Sequence, residues 1–196
     1  AIIPDGNRRW AKEHNLPSLA GHKKGFEVAV KIGRKIRSMG VNTMTMWAFS
    51  TENWNRTKEE VSYLMRMYEI FVEKNLKEAL KEKIRIIHIG RKDRIPKSLL
   101  DKIKRSEEKT KNFKNYVLNI ALDYGGRDEI IRAVKKLSNV KGQLLNVSEE
   151  NFNDFLDTSD QPYPDPDLII RTSGEQRTSG LMIWQAAYAE YVFLNK

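Results

Sequence analysis

The chain has 196 residues, 40% hydrophobic and 31% charged, which suits one globular domain with a real core. It has no cysteine, so disulfides, thiolate metal sites and a cysteine nucleophile are excluded. No apolar run approaches a membrane span and no signal peptide opens the chain, so a cytoplasmic location is expected. The formal charge of +9 fits a solvated lysine-rich surface, a face for nucleic acid, a small anion such as diphosphate, or an anionic membrane. Where the arginines sit decides among these.

Apolar stretches rich in isoleucine, valine and methionine alternate with amphipathic ones, without repeats or Gly/Ser-rich linkers. That alternation predicts a single α/β domain with a central, largely parallel sheet flanked by helices. Ala1–Ile3 reads as a strand, and a helix from about His22 to Met39 is expected to turn Phe26, Ala29, Ile32 and Ile36 inward. Gly40 ends it in the left-handed conformation open to glycine. Val41–Phe49 is the second strand. Thr57 and Glu60 form a capping box for a long helix to about Lys83, with Val61, Leu64, Tyr68, Phe71 and Leu76 on one side. Ile84–Ile89 is a third strand, and Pro96 opens the next helix. A strand at Tyr116–Leu122, helices at Arg127–Leu137 and Glu149–Leu156, and strands at Leu168–Ile170 and Glu190–Phe193 complete the prediction.

At four places an apolar strand gives way to a polar loop: Asp5–Arg9, Ser50–Arg56, Asp123–Asp128 and Arg171–Arg177. Ligands of open parallel sheets bind beyond the carboxyl ends of the strands, so these loops are expected to converge on one crevice. Convergence would gather Arg8, Arg9, Arg56, Arg127, Arg171 and Arg177, whose guanidinium forks suit phosphate oxygens. The same loops carry Asp5, Glu52 and Glu175, hard oxygen ligands for magnesium. Singly, each motif has a plainer reading. Asp5-Gly6-Asn7-Arg8-Arg9-Trp10 reads as an ordinary turn that starts a helix, and His22 as an ordinary cap or surface group.

Taken in order, the motifs resemble the cis-prenyltransferase (undecaprenyl diphosphate synthase) family from Ala1 through Phe193. Asp5-Gly6-Asn7-Arg8-Arg9-Trp10 matches that family's Asp-Gly-Asn-x-Arg-Trp signature. Gly21-His22-Lys23-Lys24-Gly25, Phe49–Arg56, Leu118–Arg127, Arg171–Ser179 and Trp184–Glu190 come after it in register. The resemblance implies an α/β fold with a hydrophobic tunnel. It also implies a magnesium-dependent transfer that condenses isopentenyl diphosphate with an allylic isoprenoid diphosphate, forming a cis-polyprenyl diphosphate and releasing diphosphate.

By the same resemblance, Gly6, Asn7, Arg8, Arg9, Trp10 and the start of the His22 helix would hold the allylic diphosphate. Arg171, Arg177 and Ser179 would hold isopentenyl diphosphate, and Asp5 would position Mg2+ together with Glu190 of a homodimer partner. Ser50, Asn53 and Arg56 would sit with Asp5 near the reacting carbons; Ala48, Leu64, Tyr68, Phe71 and Tyr116 would line the tunnel. Peripheral contact with membranes through the lipid product is implied, and no nucleic acid.

Arg8 replaces the glycine of typical bacterial members, a form associated with archaeal and eukaryotic relatives. Ser18 stands where many members place an arginine, and Gln176 and Gly180 where some have histidine and asparagine. The chain opens inside a strand and stops at Lys196, before the family's Trp-Pro segment, so residues 1–196 are expected to be a catalytic domain trimmed at both ends. A non-catalytic subunit would lack the Asp-Gly-Asn loop. A nucleic-acid module would spread its arginines along a groove with stacking aromatics.

Overall fold

A computed structural model describes residues 1–140 and 146–195. The strands are β1 (Ile2–Ile3), β2 (Thr43–Ser50), β3 (Ile84–Ile89), β4 (Tyr116–Tyr124), β5 (Leu168–Arg171) and β6 (Glu190–Phe193). They form one sheet in the order β3-β4-β2-β1-β5-β6, with every neighbouring pair parallel. The helices are α1 (Asn7–Glu13), α2 (Ser18–Ser38), α3 (Lys58–Lys81), α4 (Lys97–Thr110), α5 (Gly126–Ser138) and α6 (Glu149–Asn153). One core lies between the sheet and α3 and α4, built on Phe49, Leu64, Tyr68 and Leu99. Another joins Trp47, Ile89, Tyr124 and Ile169 to Leu181 and Met182 on the chain before β6.

Most of the predicted elements are present, and four differ for physical reasons. Helix α1 begins at Asn7, inside the predicted polar loop Asp5–Arg9, and α2 begins at Ser18, after Pro17, not near His22. Gly21 and Gly25 explain the tight α1–α2 corner. A Cβ on Gly21 would lie 1.9 Å from the Asn7 carbonyl oxygen, and one on Gly25 2.5 Å from the Asn7 side chain. Ile32 is 41% exposed and not inward, because α2 turns Gly33 toward Met44 and Ile32 stands about 100° of helix rotation away. Strand β4 runs on to Tyr124, so Asp123 is a fully buried strand residue and not part of a loop. Strand β5 likewise includes Arg171.

A bulge in β2 shapes the carboxyl end of that strand. Trp47 pairs with Ala121 and Phe49 with Leu122, leaving Ala48 as an extra residue. Met44, Met46 and Ala48 line one cavity below the bulge. Past it, Phe49 joins the same face and packs on Leu64 and Tyr68. The Tyr68 hydroxyl donates to the Ala48 carbonyl, holding α3 against the bulge.

Gly21→Ala should lower the unfolding midpoint. Ala gains roughly 1 kcal/mol of helix propensity over Gly, but a Cβ driven into rigid backbone costs about 1–3 kcal/mol. Denaturant unfolding with an unchanged or raised midpoint would show that the corner yields.

Candidate active site

Strand β1 stops after two residues at Pro4, and Asp5 is seized from the neighbouring strand. The Asp5 N–H donates to Thr172 Oγ1 at 2.9 Å, and its carbonyl accepts from the Thr172 and Ser173 hydroxyls, each at 2.9 Å. Ser173 holds a left-handed φ of 72°, a conformation that costs energy for a non-glycine residue. Gly6 turns the chain at φ 89°; a Cβ there would strike the Ser173 hydroxyl, so glycine is required twice over.

The Asp5 carboxylate accepts the Gly6 N–H at 2.7 Å and Arg171 Nη2 at 2.9 Å. Burial works to raise its pKa. The Arg171 and Gly6 hydrogen bonds, with the charges of Arg171 and Arg9, outweigh burial and hold Asp5 below the ordinary aspartate range. Arg171 is only 5% exposed. Its Nη1 donates to the Arg177 carbonyl at 2.5 Å and to Ser179 Oγ at 2.7 Å, while its buried Nε has no acceptor among the described residues.

Asp5 and Arg171 share a crevice with Asn7, His22, Ser50, Asn53 and Arg56, at the carboxyl ends of β1, β2 and β5. Asn53 Oδ1 accepts the Ser50 N–H at 3.1 Å, fixing both on the crevice wall. Glu60 Oε1 takes Arg56 Nη1 at 2.9 Å and lies 3.3 Å from His22 Nε2. Burial lowers the His22 pKa more than Glu60 raises it, so the ring is neutral and donates from Nε2. The backbone N–H of His22 lies inside α2, so it is not a helix-start donor; α1, directly after Gly6, starts at the site instead.

Leu64 also lines this polar crevice and not the tunnel proper. The crevice opens into an apolar tunnel, and Phe26, Ala29, Met46, Ala48 and Tyr68 line both. The tunnel passes Phe71 and ends near Ile84 and Tyr116, which pair at the amino ends of β3 and β4.

Other predicted residues stand farther out. Arg9 is exposed and donates to the Ser173 carbonyl at 2.6 Å. Arg8 is exposed on α1, and Trp10 stacks on His14 with ring centroids 4.3 Å apart. Arg177 is exposed and paired with Glu175; Ser179 supports Arg171. Arg127 is exposed on α5, outside the crevice lining, because β4 extends past its predicted end. Glu190 pairs with Leu168 at the amino end of β5, whereas Arg171 at the carboxyl end pairs with Phe193, so Glu190 does not meet Asp5 within one chain.

Some supporting residues are not evident from the sequence. Glu60 reads there only as a cap. Asp123 braces the loop after β2, accepting Trp54 Nε1 at 2.8 Å and Arg94 Nε at 2.9 Å. A Trp in a polar loop and an Asp inside an apolar strand are the available signals.

The family model described as "Putative undecaprenyl diphosphate synthase" matches residues 3–196. The isoprenyl transferase of Aquifex aeolicus is 46% identical over 195 residues, covering 100% of this chain and 83% of that protein. That of Bacillus cereus is 45% identical over 199 residues, covering 100% and 76%. Among solved structures, lavandulyl diphosphate synthase from Lavandula x intermedia, in complex with dimethylallyl diphosphate, superposes with a TM-score of 0.94 at 34% identity, covering 100% of this chain and 85% of that one. An anion-suited crevice feeding an apolar tunnel defines a prenyltransferase, and the chain belongs to the undecaprenyl diphosphate synthase family, the cis-prenyltransferases. Its reaction is the condensation of isopentenyl diphosphate with an allylic isoprenoid diphosphate.

Arg171→Met should raise the Asp5 pKa, since it removes both a hydrogen bond and a charge that favour the carboxylate. In the parent protein, Asp5 contributes stability above the ordinary aspartate range, and that contribution is lost as pH falls through its depressed value. Carboxyl NMR titration reads the shift directly; an unmoved Asp5 would show that Gly6 and Arg9 suffice.

Proposed function

We propose that the crevice holds two diphosphates around Asp5 and that the tunnel takes the growing cis-polyprenyl chain. The observation that carries this reading is the shared wall, Phe26 to Tyr68, between the charged crevice and the apolar tunnel. An allylic diphosphate fits it with its head at Gly6, Asn7, Arg8, Arg9 and His22, Trp10 backing α1, and its tail past Ala48 and Tyr68. Isopentenyl diphosphate fits beside it on Arg171, Arg177 and Ser179, with the unpaired Arg171 Nε as a donor for a phosphate oxygen.

Magnesium suits Asp5. The carboxylate is held ionised and half-buried, and among the described residues no group of three acidic, His or Cys side chains could cage a metal. Magnesium commonly takes one or two carboxylates plus water and phosphate oxygens. When bound, the ion supplies positive charge that stabilises a departing diphosphate. Glu190 would approach it from a second copy. The exposed edge strand β6 with Tyr191 and Val192, next to the wholly exposed Tyr188, supports such a homodimer.

The chain's own residues orient and shield. Ionisation of the allylic C–O bond develops charge on the oxygens of the departing allylic diphosphate, toward which Arg56 on the crevice wall would donate. Ser50 and Asn53, locked together, fix the mouth of the tunnel, where the isopentenyl double bond attacks the allylic carbon and the resulting cation loses a proton to give the new cis double bond. Phe49, Leu64 and Tyr68 keep water from the carbocation. Tyr116 is the tunnel's floor, placing it to limit product length. No described helix is long and apolar enough to cross a membrane. Val28 and Ile32 on α2 and Met39 just past it, exposed among Lys24, Lys31 and Lys35, support peripheral contact from the cytoplasmic side.

Asp5→Ala should nearly abolish incorporation of labelled isopentenyl diphosphate into chromatographed products while leaving the fold intact, and chelation should stop the parent reversibly. Full-rate condensation in excess chelator contradicts the metal role. Arg177→Ala should raise KM for isopentenyl diphosphate roughly tenfold or more while sparing the allylic KM, since a charge-assisted contact contributes on the order of 1.5–3 kcal/mol. Equal effects on both substrates would undo the two-site assignment.

A further inference from the structure

Helices α2 and α3 both leave the crevice end of the sheet and run toward the amino ends of the strands, so they form a seam along the tunnel. The seam is closed at two levels. Near the crevice, Phe26 packs on Tyr68 and Phe71 with ring centroids 5.2 and 5.0 Å apart. Eight residues further along α2, about 12 Å down the axis, Arg34 forks onto Glu78, with Nε to Oε1 at 2.8 Å and Nη2 to Oε2 at 2.6 Å. Arg37 Nη2 adds a looser contact to Glu82 at 3.6 Å just past α3.

Between these levels the α2 side chains on the tunnel are small: Ala29, Val30 and Gly33. Asn75 of α3 faces the same space and donates to its own helix at Phe71, without bridging to α2. Arg34, Arg37 and Glu78 line a cavity whose other walls are almost wholly apolar. Charged groups placed there serve no hydrocarbon, but they tie two helices together on the solvent side. Arg34 and Glu78 side chains remain 57% and 28% exposed, so the pair is a weak tie that a chain can part.

We propose that the Arg34–Glu78 pair is a specificity-determining strap: it closes a lateral port between α2 and α3, and parting it lets a hydrocarbon too long for the Tyr116 floor leave sideways. The inference rests on the tunnel's role as the site of chain growth. Strand β2 spans roughly 26 Å at about 3.3 Å per residue, room for several isoprene units before the floor is met. Further growth then needs either a deeper floor or an opening in the side wall. The floor is the hydrogen-bonded pairing of β3 and β4 at Ile84 and Tyr116, which are partly buried, whereas the side wall is held by the more exposed Arg34 side chain. Length control in this chain is therefore divided between Tyr116 below and the Arg34–Glu78 strap beside.

The test separates rate from length. Wild-type protein, E78A, R34A and the charge-swapped R34E/E78R are incubated with labelled isopentenyl diphosphate and an allylic starter. Total incorporation and the reversed-phase profile of dephosphorylated products are read separately. E78A and R34A should keep wild-type total incorporation and shift the main product by at least one isoprene unit toward longer chains, and the swap should return the wild-type profile. The chain has no cysteine, so R34C/E78C bridged with a short bis-maleimide adds a clean lock. The bridged protein should make products no longer than wild type, and the unbridged one longer products. Wild-type profiles from both single variants at full incorporation would overturn the strap. No incorporation by any protein, wild type included, would instead overturn the tunnel's role as the site of chain growth, and the strap with it.

Discussion

The site depends on one clamp, the hold of the β5 end on Asp5. Strand β1 is only two residues long, too short to fix the loop after it. Thr172 and Ser173 take both backbone polar groups of Asp5, and Arg171 takes its carboxylate. The arrangement satisfies groups that would be costly to bury alone. It also decides where Gly6 turns, and hence where α1 begins. The Ser173 backbone conformation and the glycine at position 6 are two sides of this contact, since the Ser173 hydroxyl occupies the space a Cβ would need.

That clamp sets the helices in turn. Helix α1 leaves Gly6, and Asn7 nests against Gly21 and Gly25, so α2 is laid across the crevice at a fixed depth. The bulge at Ala48 then brings Phe49 and Tyr68 to the same wall. The polar crevice and the apolar tunnel are thus built from opposite ends of the same elements. Asn7 and His22 lie at the crevice end of α1 and α2, and Gly33 and Ile36 at the tunnel end of α2.

Periodicity makes much of this legible. The predicted bounds of Ile84–Ile89 and Glu190–Phe193 match the strands, and Thr57 caps α3 by accepting from the Glu60 N–H, but the Glu60 side chain turns to Arg56 and leaves the expected capping box half made. Alternation and the rule for open sheets suffice for the parallel sheet and for the convergence of the loops after β1, β2 and β5. What escapes is set by contacts between distant residues. Helix α1 carries no strong apolar stripe and exists because it packs on α2. Ile32 looks inward by its hydrophobicity, but the phase of α2 is set by the close approach of Gly33 to Met44. Arg127 falls outside the crevice because β4 continues through Asp123, whose burial is explained only by Trp54 and Arg94 arriving from other loops. The place of Glu190 turns on a register that a single strand does not encode.

At three arginines around the crevice the positive charge is already met by a carboxylate. Arg56 is engaged by Glu60, Arg177 by Glu175, and Arg171 by Asp5. A diphosphate competes with these carboxylates for the same guanidinium forks, and only a ligand offering several oxygens at once gains more than it displaces. A single carboxylate or phosphate ester would exchange one acceptor for another with little net benefit. On the two-site proposal, diphosphates at the Asp5 loop and at the Arg171 strand end would bond donors from two strands and leave their hydrocarbons at the tunnel mouth. On that proposal the pre-paired arginines would discriminate by denticity, and the apolar wall beginning at Phe26 and Tyr68 by what is attached.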